Sequence, residues 1–542
     1  MKRILVLAAL HALNTFGQST SKADACAPPP GSAPPSLPAK LLAGQGRIDF
    51  KITTKSAEAQ AFFNQGVAQM HSFWAREAER SFLQAAQLDP DAPMPRWGIA
   101  MVAAGDFRPG FQLELVNGVQ PKARRRTGKP QGAEARAVAA AARARELAAV
   151  SGRASDVEKM YIAAAVARRD LSARDPNIGY VKSLRALIDR YPEEIEAPSY
   201  LALHIMSGFE LPSHRPRAGS MEAVTILKAL LEKAPGHPGV HHYVIHGWEG
   251  STFAKEAWPS CQRYAEAASN IPHGLHMPGH IYAQTGRWAD AVKAFSEAAQ
   301  NDLYWLTQDS LGGNGHHGHN VHFLASALSF QGDYDKAVEA ARGLLAFKET
   351  PREARQVDNY RTAWRQGWFA LMRVLVQHEK WDLILDGTSL PGVDKPRERA
   401  WRAWAQALAL LARGDGNGAR LQARQLDGAL AEYKARTKQQ PPPPLVVART
   451  ELKAHLSRSV GKRLNGLQRA AARERSLRYT EPTGYPRPVL EILGQVALRH
   501  GRPEIAERAF REALEQYPES AVAKAGLRAA QQKAGRLIPA DD

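Results

Sequence analysis

Histidine is the residue type whose number and spacing could do chemistry in this chain. Eighteen occur in 542 residues, and thirteen of them fall between His204 and His322, where an even spread would place about four. Within that interval they pair. His242 and His246 are four apart, His276 and His280 are four apart, and His319 and His322 are three apart. On a helix, residues at these spacings stand one above the other, so each pair can turn two imidazoles toward one ion. Glu249 follows His246 by three residues and adds a carboxylate to the same face. It would serve as a ligand or as a general base on a metal-bound water. Imidazole suits copper, zinc, iron and nickel. Magnesium and calcium want oxygen ligands, and di-iron centres use more carboxylate than Glu249 alone supplies. Six histidines and one glutamate exceed what one zinc needs. Copper is therefore favoured, with zinc and iron as the other metals to consider. Cysteine is too scarce for a thiolate site, since Cys26 and Cys261 are the only two.

Such pairs work only if helices hold them in register, and the sequence repeats in the way that requires. Gly66, Ala78, Phe82, Ala85 and Pro90 are spaced by 12, 4, 3 and 5 residues, and Gly494, Ala506, Phe510, Ala513 and Pro518 repeat those offsets. Gly279, Ala291, Phe295 and Ala298 fit the same template. This is the tetratricopeptide (TPR) pattern of two antiparallel helices. The small residues let the helices approach, Phe fills the gap, and Pro stops the second helix. Ala223, Ala257 and Ala291 recur at steps of 34, and Ala337 follows 46 residues later. The surplus of 12 coincides with the Gly/His-rich stretch Leu311–Asn320, expected to fold over the groove with His316, His317 and His319 available to point inward. No period-2 strand pattern of any length is present. The expected fold is an all-α superhelix of TPR-type helix pairs. The expected organisation is a signal peptide over 1–25, a Pro/Ser-rich tether over 26–50, a repeat array over 51–345, degenerate repeat helices over 346–436, and a C-terminal repeat array over 437–542.

The repeat register places the histidines. Numbering Ala257 and Ala291 as position 20, His242 and His276 are position 5, His246 and His280 are position 9, and Glu249 is position 12. In the third repeat His322 is position 5 and His319 is position 2. Positions 2, 5, 9 and 12 face the concave groove, where this architecture binds ligands. Pro278 should fall near the first turn of its helix, where a missing N–H matters little. His204 would be a further groove residue. His237 and His273 lie at helix starts, in capping or ligand-orienting positions. Two other readings of the same surface stay open: a groove for an anionic small molecule or peptide, with pH-dependent binding, and a structural polar network. A protein partner on the outer repeat surface fits the architecture as well. The chain is then either a metalloenzyme, oxidative with copper or iron and hydrolytic with zinc, or a non-catalytic module that holds a partner or sequesters metal.

The stretches His237-Pro-Gly-Val-His-His-Tyr-Val-Ile-His246-Gly-Trp-Glu249, Pro272-His-Gly-Leu-His-Met-Pro-Gly-His280-Ile281 and His319-Asn-Val-His-Phe323 resemble a group of exported bacterial TPR proteins. The resemblance covers roughly residues 62–340. It implies a repeat fold and adds His237, His273 and Asn320 to the motif as residues around the ligands. It implies no particular activity.

The N-terminus reads as an address. Lys2 and Arg3 precede the apolar run Ile4–Leu13, and Ala23-Asp24-Ala25 offers the small residues a signal peptidase reads. A periplasmic or secreted protein is expected, with cleavage near Ala25. A lipid anchor on Cys26 is less favoured, because Ala23 stands where a larger apolar residue belongs. No other run is long and apolar enough to span a bilayer. The net charge of +18 includes basic stretches at Lys122–Lys129 and Arg458–Arg478. The second is interleaved with Leu and Ala at helical spacing, which marks a solvated helix face, and nucleic acid is not an expected partner.

Overall fold

The computed structural model describes residues 33–109, 130–308, 315–348, 362–480 and 482–536. The expected signal peptide, Cys26 and the basic stretch Lys122–Lys129 lie outside these residues. The first helices are α1 (Ala57–His71), α2 (Ala75–Leu88), α3 (Met94–Val102), α4 (Gly132–Ala148), α5 (Asp156–Arg168), α6 (Pro176–Arg190), α7 (Glu196–Ile205) and α8 (Ser220–Lys233). The histidine-bearing region is α9 (Pro238–Trp248), α10 (Trp258–Ala267), α11 (Pro272–Gln284), α12 (Trp288–Gln308), α13 (Gly315–Gln331) and α14 (Tyr334–Ala346). Then follow α15 (Ala363–Gln377), α16 (Trp381–Leu385), α17 (Pro396–Ala412), α18 (Gly416–Thr437), α19 (Pro443–His455), α20 (Val460–Arg475), α21 (Val489–Arg499), α22 (Pro503–Gln516) and α23 (Ala521–Lys533). Each helix packs chiefly on its neighbours in sequence. Among the described residues there is no strand, only an isolated bridge between Phe209 and Pro216. The chain is an all-α superhelix of TPR-type helix pairs.

The residues that carry the repeat pattern do the packing it implies. A Cβ placed on Gly66 would lie 2.6 Å from the Phe82 ring, and one on Gly494 would lie 2.5 Å from Phe510. Gly279 is filled in the same way by Phe295. In each pair the second helix presses an aromatic edge into a notch that only glycine leaves open.

Three features depart from the sequence reading. Residues 38–50, expected as a tether, are docked. Ile48 and Phe50 are buried, the Asn270 backbone N–H donates to Gly44 O at 2.9 Å, and Gln45 Nε2 donates to Asn270 O at 3.0 Å. Of the stretch expected to fold over the groove, residues 311–314 lie outside the described residues; α12 runs for 21 residues before it, and Gly315–Asn320 forms the first turns of α13. Finally, Pro278 lies in the interior of α11 and not in its first turn. Its missing N–H leaves the Gly274 carbonyl without its helical donor. The Pro-rich run at 441–444 interrupts the helices but not the core, since residues on both sides of it share one apolar cluster. No described helix is long and apolar enough to cross a membrane.

Candidate metal centre

Helices α9 and α11 bring three imidazoles together. His242 and His246 stand one turn apart on α9, and His273 is the second residue of α11. One ring nitrogen from each can be chosen so that all three lie within 4.8 Å of one another. The Nε2 atoms of His242 and His273 are 3.1 Å apart. Two nitrogens bound at about 2.0–2.1 Å to one ion stand roughly 2.9–3.4 Å apart, so this spacing already suits shared coordination. All three residues are buried. Burial, reinforced by neighbouring histidines, lowers the His242 and His273 pKa values well below the usual imidazole range. The neutral ring is the form that offers a lone pair.

Aromatic rings close the site. The Phe73 ring centroid lies 4.5 Å from His242, 5.5 Å from His246 and 5.5 Å from His273. Tyr264 stacks on the other side of His242 at 4.7 Å. Phe73 holds this place with a left-handed φ of 54°, a conformation that costs a bulky residue about 1 kcal/mol or more and persists only where packing imposes it.

Hydrogen bonds select the tautomers. A carbonyl only accepts, so His242 Nδ1–H donates to the His71 carbonyl at 2.5 Å. Glu249 terminates α9 with non-helical backbone (φ −59°, ψ 127°). Its carboxylate turns back to accept from His246 Nδ1 at 2.8 Å and from His280 Nδ1 at 2.6 Å. Burial alone would raise the Glu249 pKa. The His280 and His246 contacts outweigh it and hold the carboxyl well below its usual range. With protons on Nδ1, the lone pairs of His242, His246 and His280 sit on Nε2. Glu249 thus engages both oxygens with histidines, an arrangement that orients imidazoles from behind.

His280 and His276 form a second pair beside the first, with their Nε2 atoms 2.7 Å apart. Helix α13 approaches from the far side. The His276 ring lies 5.0 Å from His319 and 6.0 Å from His316. His316 Nδ1 donates to Asp302 at 2.8 Å, and Asn320 Nδ2 donates to the same carboxylate at 2.5 Å. His322 is elsewhere. Its Nδ1 donates to Gln366 of α15 at 2.6 Å, and burial, aided by Arg373, pushes its pKa down to about 3. His204 is elsewhere too. Its Nδ1 donates to Tyr200 O at 2.7 Å, while its Nε2 accepts from Arg168, which pairs with Asp106.

His237 belongs to a separate group with His71 and Glu196. Glu196 accepts from His71 Nε2 at 2.6 Å and from His237 Nε2 at 3.0 Å. His71 Nδ1 meets the Tyr243 hydroxyl at 2.8 Å, and His237 Nδ1 accepts the Val240 N–H that caps α9. Every ring nitrogen in this group has a partner, so it is a closed network. It buttresses the carbonyl that orients His242.

Sequence reasoning missed several members of the centre. The sequence places His273 behind the candidate ligands, yet one of its ring nitrogens lies within 4.8 Å of those of His242 and His246. Asp302, Phe73 and His71 carried no local signal. His71, for example, meets partners 125 and 172 residues away. Glu196 starts α7 and Tyr243 lies on α9, so the contacts arise where the end of α1 meets both helices.

No protein-family model matches this chain, and no curated protein matches it. Solved structures share its helical build. Human IFIT1, solved as a dimer with PPP-AAAA, is 10% identical over 89% of this chain and 92% of its own, with a TM-score of 0.32. Cut9-Hcn1 of the APC/C is 13% identical over 88% and 90%, with a TM-score of 0.28. Yeast Tom70 is 11% identical over 89% and 90%, with a TM-score of 0.28. At these values the likeness carries no argument about what the chain binds.

Proposed function

We propose that this protein is an exported metalloprotein whose centre is held by His242, His246 and His273. The observation that carries the reading is the convergence of three buried imidazoles, two of them locked in the Nδ1–H tautomer by His71 O and Glu249. Three imidazoles leave a coordination position open, which is the pattern of catalytic and not of purely structural sites. A nitrogen-only set favours copper, then zinc, then iron, following the general order of affinity for divalent ions. Bound there, the metal would supply Lewis-acid activation of water or another oxygen donor. The chain's own residues bind, orient and keep water out: Glu249 positions His246 and His280, and Phe73 and Tyr264 seal the imidazoles. The export reading rests on the N-terminal sequence.

The test is metal binding by the full chain, stripped with a chelator and titrated with Cu(II), Zn(II) and Fe(II). About one tightly bound ion per chain is expected, with occupancy lost in His242→Ala and His273→Ala and retained in His322→Ala and His204→Ala. Failure of the wild-type chain to bind any of the three ions at micromolar concentration overturns the proposal. Unchanged occupancy in His242→Ala and His273→Ala does the same.

A further inference from the structure

A cavity of about 420 Å³ opens beside the centre, a size typical of small-molecule sites. His273 and His316 form its inner end, and residues 38–42, α2 and α12 build its walls. The walls are aromatic: Trp74 and Trp305 meet edge to face at 5.0 Å, and Phe73 and Tyr304 also line the space. They are also net cationic, because Lys40, Arg76 and Arg80 face it against the single wall carboxylate Glu77. Arg80 is near Glu77 at 3.4 Å, whereas Arg76 makes no ion pair among the described residues and its Nε is buried without a hydrogen-bond partner. At the inner end His273 Nδ1 and His316 Nε2 are likewise buried and unpartnered, and His273 is 4% exposed. Buried polar groups without partners are costly, and a ligand that satisfies them recovers that cost.

We infer that this cavity binds an aromatic small molecule carrying one anionic group. The ring lies against Trp74 and Trp305, the anion meets Arg76, and the remaining polar end reaches His273 and His316. Asp302 is the acidic group at the inner end. It is occupied by His316 and Asn320, so it offers a cationic ligand little. The inference assigns a substrate class to the centre proposed above and rests on that reading only for its catalytic meaning. The pocket itself can be tested without metal.

The probes are naphthalene-2-carboxylate, its neutral carboxamide and the cationic 2-(aminomethyl)naphthalene. Each is titrated calorimetrically into the full chain, both chelator-stripped and metal-loaded. The carboxylate is expected to bind about ten-fold or more tighter than the amide, as a charge-assisted hydrogen bond implies. Arg76→Gln should bring the two to within about three-fold, and Trp305→Ala should weaken both together. Equal binding of the three probes, or none at millimolar concentration, overturns the inference. So does an undiminished carboxylate preference in Arg76→Gln. A charge preference kept in stripped protein that binds no metal would retain the pocket and reject the metal centre, so the two readings fail separately.

Discussion

Replacing Glu249 by Gln tests the tautomer argument at its narrowest point. The carboxylate accepts from both His246 Nδ1 and His280 Nδ1. A glutamine amide has one acceptor oxygen and one donor nitrogen. It can satisfy one histidine as before, but it sets an N–H against the Nδ1–H of the other. That imidazole must move its proton to Nε2, which removes the lone pair that the proposed metal would take. If His246 shifts, a ligand is lost outright. If His280 shifts, the neighbouring Nε2–Nε2 contact with His276 is rearranged. Removing a residue that orients ligands typically costs 10–100-fold in metal affinity, or about 1.4–2.7 kcal/mol. The assay is competition between the full-length protein and a chromophoric chelator for Zn(II), with the Co(II) absorption spectrum as a report on ligand geometry. A thermal melt of the metal-free variant controls for unfolding. If Glu249→Gln melts cooperatively near wild type and binds zinc with unchanged affinity and spectrum, Glu249 does not orient the ligands and the reasoning is wrong.

Two further outcomes follow from the scaffold. Burial pushes the Glu491 carboxyl up to about 7 against an ordinary 4.5, with only the Ser520 hydroxyl opposing it. The folded chain therefore holds a proton that the unfolded chain releases. This stability is full below pH 4.5 and is lost as pH rises toward 7, by at most roughly 3 kcal/mol. Glu491→Gln should raise the melting temperature at pH 8 and not below pH 4.5, and equal shifts at both would refute the assignment. The second outcome compares two glycines. Gly494→Ala drives a Cβ to 2.5 Å from Phe510 and should destabilise by about 1–3 kcal/mol. Gly428→Ala in α18 meets nothing within 4 Å and should stabilise by up to about 1 kcal/mol. Urea midpoints read both, and a gain at Gly494 would show that the aromatic notch is not tight.

The helix pairs were legible because their cause is local. A glycine, two alanines and a phenylalanine at fixed offsets specify how two helices that are adjacent in sequence touch, and Gly66/Phe82, Gly279/Phe295 and Gly494/Phe510 touch that way. The same register put His242, His246, His276 and His280 on facing helix surfaces. It failed for His322, whose imidazole is drawn to Gln366 on a helix 44 residues away, and for Glu249, where the helix stops one residue earlier and the carboxylate folds back. Periodicity cannot say where a helix ends or what packs behind it.

The sequence by itself determined the repeat, the clustering of histidine and the pairing of imidazoles along α9 and α11, because each follows from spacing within a turn or a repeat. The tertiary structure decided which nitrogens bear protons, that His273 joins His242 and His246, that Asp302 positions His316, and that an aromatic, cationic cavity abuts the centre. Apart from the His246–Glu249 contact within one turn, those facts depend on contacts between different helices, from 14 residues apart for Asp302 with His316 to 31 for His273 with His242 and 172 for His71 with Tyr243. Packing fixes such contacts, and no local spacing in the chain encodes them.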